Sequence, residues 1–203
     1  MTAAAVRAAV PAPGFADPVA DAQTVFRAVL DALARPARPV GIALVPGGPR
    51  ELTAPARAVL LALCDEATPV WLDEELRGTD LAAWLAFHTG APLSDDPGTA
   101  AFAVVSAPDR LPDLAAFAVG TDEAPHTSTT VVVVDEEREP GLPLRADGPG
   151  FERPRVWIGP ALRPGFASRW AANAAGFPRG IDIVIAGRTA VTGLPRTTRL
   201  SEE

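Results

Sequence analysis

Two arginine-containing phrases near the end of the chain, FPRGID (177–182) and GLPRTTRL (193–200), carry residue types that bind anions. Arginine offers a planar fork of N–H donors to phosphate or carboxylate, and threonine hydroxyls add further donors. The candidates for one shared anion site are Arg179, Arg196, Thr197, Thr198 and Arg199. The alternatives are an edge strand that contains the threonines, with the arginines paired to an acidic body, and a surface for a partner protein. The residues alone leave these interpretations open.

Three more polar residues could complete such a site. Asp182 could hold a neighbouring arginine in position, which is a structural role as much as a binding one. Gln23 and Arg27 stand four residues apart in the first predicted helix, so they share one face of it.

A glycine-rich turn, ADGPGF (146–151), is a further candidate. Gly148 and Gly150 can adopt positive φ, which permits close approach of backbone amides to a phosphate. The turn matches neither GxGxxG nor a P-loop. A tight structural turn is therefore the stronger interpretation of these two glycines.

The sequence lacks the residues that several other kinds of catalytic site require. The sequence contains no lysine, which excludes a Walker A loop and a Schiff base to pyridoxal phosphate. Its two histidines, His88 and His126, have no metal-binding spacing, and no GxSxG elbow is present. Cys64, the single cysteine, lies in an apolar stretch and is predicted to be a buried thiol. The run Asp73–Glu75 is interpreted as a solvated turn.

Charge is divided unevenly along the chain. Residues 1–150 carry 10 arginines against 21 acidic residues, whereas residues 151–200 carry 8 arginines against Glu152 and Asp182. The formal net charge of the whole chain is −7. A basic last quarter on an acidic body predicts a local anion site or a surface for an acidic partner. The acidic total argues against nucleic acid as a ligand.

Alternating helices and apolar strands must position these residues. Asp17 and Pro18 predict the start of a helix that ends at Pro36. Its predicted apolar stripe comprises Ala22, Val25, Phe26, Val29, Leu30 and Leu33. Further helices are predicted at 54–67, 80–88, 111–119 and 163–176, with Thr53 and Thr79 as caps of the first two. Strands are predicted at 40–45, 70–73, 101–106, 129–135, 155–159, 181–187 and 189–195, the last antiparallel, and a loop or edge excursion at 135–151.

This pattern predicts an α/β fold, a three-layer α/β/α sandwich with a mixed sheet. Residues 15–203 are expected to form a single domain, and residues 1–14 a disordered arm. No membrane span is expected, since no run of about 18 apolar residues occurs. We expect a cytoplasmic protein.

Five phrases follow one another along the chain in this order: QTVFRAVLDALARP, VWLD, DGPGF, FPRGIDIVIA and LPRTTRL. Through these phrases the chain resembles the PhnH family of the bacterial carbon–phosphorus lyase system. The resemblance covers about residues 15–200. The chain departs from the family pattern at Pro36-Ala37, at Ala146-Asp147-Gly148-Pro149-Gly150 and at His126, where a glutamate is common.

The resemblance implies a fold similar to pyridoxal-phosphate-dependent transferases, without the cofactor. It also implies a homodimer in isolation and a core complex with subunits G, I and J of the carbon–phosphorus lyase system. That complex is associated with displacing adenine from ATP by a phosphonate, which gives a ribose 1-phosphonate 5-triphosphate. The J component then breaks the carbon–phosphorus bond by radical iron–sulfur chemistry.

Three functional hypotheses follow. The leading one is that the chain is an accessory subunit of this assembly and has no independent activity. The sequence contains no evident set of residues for a complete active site. The second is a transferase subunit that contributes catalytic residues directly. The third is a stand-alone phosphate- or nucleotide-binding protein.

Overall fold

A computed structural model describes residues 14–42, 47–137 and 139–202. The predicted arm lies outside the described residues except for Gly14, as does the end of the predicted strand 40–45. The helices are α1 (Pro18–Ala34), α2 (Ala54–Leu63), α3 (Glu74–Arg77), α4 (Leu81–Thr89) and α5 (Phe166–Ala175). The strands are β1 (Pro39–Gly41), β2 (Val70–Leu72), β3 (Leu93–Ser94), β4 (Phe102–Val105), β5 (Thr130–Val134), β6 (Pro140–Asp147), β7 (Arg155–Pro160), β8 (Asp182–Ala186), β9 (Ala190–Leu194) and β10 (Arg199–Glu202).

The main sheet has seven strands in the order β1-β9-β8-β5-β4-β2-β3. Neighbours from β3 to β8 run parallel, and β9 pairs antiparallel with both β8 and β1. The mixed sheet is therefore confirmed. Its central strands are continuous apolar runs because both of their faces are buried, as in β5 and β8.

The two faces of the main sheet are covered differently. On one face Val132, Val134 and Val184 pack in the same core as residues of α1, α2 and α4. On the other face Val131 and Val133 pack against α5 and a second, three-stranded antiparallel sheet in the order β10-β6-β7. The second layer therefore differs from the helical layer of the α/β/α prediction, because it contains a three-stranded sheet beside α5.

The second sheet also corrects the predicted loop at 135–151. Residues 140–147 of that segment form β6, the central strand of the small sheet. The predicted strand at 155–159 is β7, and it pairs with β6 instead of joining the main sheet. The predicted helix at 111–119 contains only a single 3₁₀ turn, Leu114–Ala116.

Helix α1 begins as predicted but buries a different stripe. The Asp17 carboxylate accepts hydrogen bonds from the amides of Val19 and Ala20, which confirms it as the N-cap. The fully packed positions are Val25, Val29 and Ala32. Phe26 and Leu30 are 47% and 52% exposed, so these two members of the predicted apolar stripe lie outside the buried face of the helix.

Candidate functional site

The Arg196 side chain makes an internal network at the amino ends of β5 and β8. Nε and Nη2 donate to the two Asp182 carboxylate oxygens at 3.2 and 2.5 Å. Nη1 donates to the carbonyl oxygens of Pro125 and Pro178, each at 3.1 Å, and Nη2 also donates to Ser128 Oγ at 2.5 Å. We call these five residues the Arg196 cluster.

The cluster uses all the donor capacity of the guanidinium. An arginine side chain has five N–H groups, and the cluster supplies five acceptors. The side chains of Arg196 and Asp182 are only 12% and 22% exposed. An anion could bind Arg196 only by displacing one of these internal acceptors, so the geometry favours a structural role over an open anion site.

Asp182 holds a neighbouring arginine, Arg196, in position. Besides the guanidinium, it accepts a hydrogen bond from the Arg196 amide at 2.7 Å. Because Asp182 begins β8 and Arg196 follows β9, these bonds fix the turn after β9 to the amino end of the sheet. Ligands of open α/β sheets normally bind at the opposite, carboxyl end of the strands.

The other residues of GLPRTTRL have different surroundings. Arg199 is mostly exposed, and its Nε donates to Asp147. Thr198 is fully buried, and its carbonyl oxygen accepts from the Trp170 indole N–H at 2.8 Å. Arg196 and Thr198 are therefore held by separate parts of the protein, and the PRTTR residues do not converge on a single anion.

Gly148 and Gly150 form a packed turn. Both have positive φ, +125° and +85°. A Cβ at Gly148 would lie 2.7 Å from the carbonyl oxygen of Thr197, and one at Gly150 would collide with the carbonyl oxygen of Ala34. The backbone of this turn is thus covered by the turn after β9 on one side and by the end of α1 on the other, as a tight structural turn requires.

The remaining candidates lie on the surface. Arg179 forms an exposed ion pair with Asp122, with Nε 3.3 Å from Oδ1. Gln23 and Arg27 are exposed on α1. Among the described residues, no hydrogen bond or ion pair joins Gln23 or Arg27 to the Arg196 cluster, so the structure does not bring them into one site.

The carboxyl end of the parallel strands holds a buried carboxylate, Asp73. It is 6% exposed and accepts from the Ser106 amide at 2.7 Å, the Ser106 hydroxyl at 2.5 Å and the Leu76 amide at 3.2 Å. The interpretation of Asp73 as part of a solvated turn is wrong, because it caps α3 and ties the end of β2 to the end of β4. The available signal was that Asp73 and Ser106 each directly follow a buried apolar strand.

Beside Ser106 lies a cavity of about 440 Å³ whose walls are acidic. Its charged lining residues are Glu75, Asp109, Arg110, Asp135, Glu136 and Glu139. Burial raises the pKa of the Asp135 carboxyl, the charge of Glu137 adds to this, and a hydrogen bond from the Glu137 amide opposes it. Five carboxylates against one guanidinium repel a phosphate or triphosphate.

The remaining titratable candidates do not form a catalytic set. Cys64 is buried at the end of α2, and burial, assisted by the charge of Asp65, raises the pKa of its thiol to about 12. His88 contacts the rings of Trp84 and Phe87. Within the described ranges, no three His, Cys, Asp or Glu side chains are arranged to hold a metal ion. None of the helices described there is long and apolar enough to cross a bilayer.

Comparison with known proteins gives two kinds of similarity. A family model described as "Bacterial phosphonate metabolism protein (PhnH)" matches residues 13–201. The chain is 44% identical over 189 residues to the alpha-D-ribose 1-methylphosphonate 5-triphosphate synthase subunit PhnH of Rhizobium meliloti (strain 1021), covering 93% of this chain and 94% of that protein. It is 33% identical over 86 residues to the putative C-P lyase subunit protein HtxG of Stutzerimonas stutzeri, covering 41% and 43%.

Proposed function

Because this chain belongs to the PhnH family of bacterial phosphonate metabolism proteins, we propose that it is the accessory PhnH component of an alpha-D-ribose 1-methylphosphonate 5-triphosphate synthase. The similarity to the relative from Rhizobium meliloti extends over 94% of that protein's length, which supports the proposal. In this role the chain supports the formation of the ribose 1-phosphonate 5-triphosphate from ATP and an alkylphosphonate, within carbon–phosphorus lyase metabolism.

The observation that carries the accessory role is the saturated Arg196 cluster. Arg196 is the most buried arginine of the two Pro-Arg phrases, and all five of its N–H groups have internal acceptors. The phrases GLPRTTRL and FPRGID therefore serve to join the turn after β9, residues 125–128 and the start of β8. The Arg196 guanidinium therefore has no free fork for a triphosphate.

The electrostatics of the sheet support the same role. At the carboxyl end of the strands, where an α/β enzyme would bind a nucleotide, Asp109, Asp135, Glu136 and Glu139 line the cavity. These carboxylates oppose the binding of a polyanion. The catalytic groups that act on ATP and the phosphonate belong, in this proposal, to partner subunits.

The proposed partners are subunits G, I and J in the complex and a second copy of the chain in isolation, in the cytoplasm. A fold relationship to pyridoxal-phosphate-dependent transferases stays a prediction. The prediction is of the fold without the cofactor, since the sequence has no lysine that could bind it as a Schiff base.

Co-expression with the partner subunits, followed by size-exclusion chromatography, tests the proposal. We expect the chain to elute with the partners, and the isolated chain to release no adenine from ATP and methylphosphonate. Adenine release by the isolated chain would contradict the accessory role. Saturable ATP binding that is lost in Arg196→Ala, with the fold intact, would instead favour a ligand-binding protein.

A further inference from the structure

The small sheet has one polar and one apolar edge. Its edge strands in the described part of the chain are β10 and β7. The outward-facing residues of β10, Arg199 and Ser201, are polar, whereas those of β7 are Val156 and Ile158, 48% and 60% exposed. Edge strands of monomeric proteins are usually protected by charge, proline or a covering element. The stretch Val156–Gly159 has no such charge or proline.

The free edge of β7 borders an acidic groove. A cavity of about 450 Å³ lies between β7 and residues of β8 and β9, with Trp157, Ile185 and Thr192 in its lining. Asp135, Glu137 and Glu139 line the groove, and we call them the acidic wall. The Glu137 side chain accepts from the Arg188 amide at 3.0 Å, which fixes it beside the turn after β8. Arg155 is the one cation among the described lining residues.

We propose that the free edge of β7 receives an extended segment of a partner subunit as a fourth strand of the small sheet, and that basic and apolar residues alternate in this segment. The inference rests on the proposed function, because it assumes a heteromeric assembly. Successive side chains of a strand point to opposite faces. The apolar residues of the added strand would lie beside Val156 and Ile158, and the basic residues would enter the groove towards the acidic wall.

The negative charge beside β7 favours binding of a basic segment from a different protein over pairing with the β7 edge of a second copy of this chain. The sequence 135–139 carries four carboxylates and one arginine, and the whole chain has a net charge of −7. Two copies paired through β7 would bring two acidic walls together, which is unfavourable. Strand addition supplies main-chain hydrogen bonds for affinity, and alternating pockets supply specificity.

Two variants of the full chain, co-expressed with the partner subunits, test this surface. Ile158→Asp places a charge on the outward face of β7, and Glu139→Arg reverses one charge of the acidic wall. Phe87→Asp is the matched control, because Phe87 on α4 is 65% exposed and α4 covers the other face of the main sheet. We expect about tenfold or greater loss of co-eluting partner for Ile158→Asp and Glu139→Arg, as for central interface positions, and no change for Phe87→Asp. Circular dichroism and urea unfolding of each isolated variant establish that it is folded.

Amide hydrogen exchange provides a second readout that does not depend on variants. The amides of residues 155–159 should gain protection when the wild-type chain enters the complex. The inference alone would be overturned if the wild-type chain co-elutes with the partners, Ile158→Asp and Glu139→Arg retain them equally well, and the amides of residues 155–159 gain no protection. A dimer of the isolated chain that Ile158→Asp converts to monomer would overturn it in favour of a second copy. Failure of the wild-type chain to co-elute would overturn the proposed function itself, and the inference with it.

Discussion

Arg196 and Asp182 form a two-pronged ion pair, in which Nη2 lies 2.5 Å from Oδ2 and Nε lies 3.2 Å from Oδ1. The pair connects the turn after β9 to the first residue of β8. The other guanidinium hydrogen bonds extend this connection to Pro125, Ser128 and Pro178. A single side chain therefore fixes three segments at one end of the main sheet.

Replacement of Arg196 by alanine should destabilise the protein strongly. It would leave the partly buried Asp182 carboxylate without its counter-ion and Ser128 without its donor, at a cost of about 3 kcal/mol in the free energy of unfolding. Arg196→Lys should lose less, because it keeps the charge but not the fork. Urea unfolding followed by circular dichroism measures the effect.

Arg179→Ala is the matched control for this prediction. Arg179 lies in the companion phrase, but its ion pair with Asp122 is 52% and 69% exposed on the two sides. Exposed pairs contribute little, so we expect a loss of roughly 0.5 kcal/mol. Equal losses in Arg179→Ala and Arg196→Ala would contradict a structural role specific to the Arg196 cluster.

Gly150→Ala should be more damaging than Gly165→Ala, although both glycines have positive φ, +85° and +75°. A Cβ at Gly165 would meet only side-chain atoms at 3.6 Å or more, so backbone strain alone should cost about 1 kcal/mol. A Cβ at Gly150 would also collide with the carbonyl oxygen of Ala34, which raises the expected loss to about 3 kcal/mol. Urea unfolding of the two variants makes the comparison, and equal losses would show that the turn is free to move away from α1.

The sequence predicts the buried parts of the main sheet well because those strands are continuous apolar runs. β5 and β8 are examples, since both faces of each are buried. β6 was missed because only one face of it is covered, and its sequence, PGLPLRAD, contains two prolines, a glycine and two charges. Sequence patterns of this kind are typical of loops, and tertiary pairing with β7 and β10 overrides them here.

Helical periodicity alone could not choose between two overlapping stripes on α1. Phe26 and Leu30 lie next to the buried positions Val25 and Val29, and only the packing of the helix decides which pair faces the core. The sequence alone was also insufficient to predict the hydrogen-bond partners in the candidate site. The phrases FPRGID and GLPRTTRL contain Asp182 and Arg196, but an internal acceptor set such as the carbonyls of Pro125 and Pro178 has no sequence pattern.

Asp135→Asn should stabilise the protein at neutral pH. The pKa of the Asp135 carboxyl is raised in the folded state, mainly by burial, so its contribution to stability is present at low pH and is lost as pH rises through the folded pKa. Asparagine avoids the cost of a half-buried charge and can still accept the hydrogen bond from the Glu137 amide. Urea unfolding at pH 7 and pH 3 should show a gain for Asp135→Asn that disappears at the lower pH.

The exposed carboxylate Asp109 lines the same cavity and provides the control. Asp109→Asn should change the free energy of unfolding little at either pH, because an exposed charge is well solvated. A gain in Asp109→Asn equal to that in Asp135→Asn would attribute the effect to the net charge of the cavity instead of to the burial of Asp135.

Cys64 should make the protein less stable at alkaline pH. Burial, assisted by Asp65, raises the pKa of its thiol from 9.0 to about 12, so the folded state holds a proton that the unfolded state releases. The contribution is fully present below the unfolded pKa and is lost as pH rises towards the folded pKa. Between pH 9 and pH 11 the free energy of unfolding should fall by roughly 2 kcal/mol, at a little over 1 kcal/mol for each pH unit.

This chain isolates the Cys64 effect well, because it contains neither lysine nor tyrosine to titrate in that range. Cys64→Ala should remove most of the decline, and iodoacetamide at pH 8 should label the wild-type thiol only after urea unfolding. An equal alkaline decline in wild type and Cys64→Ala, or rapid labelling of the folded protein, would show that the thiol is accessible. The expected contrast between the two proteins follows from the position of Cys64 at the end of α2, where it is 7% exposed.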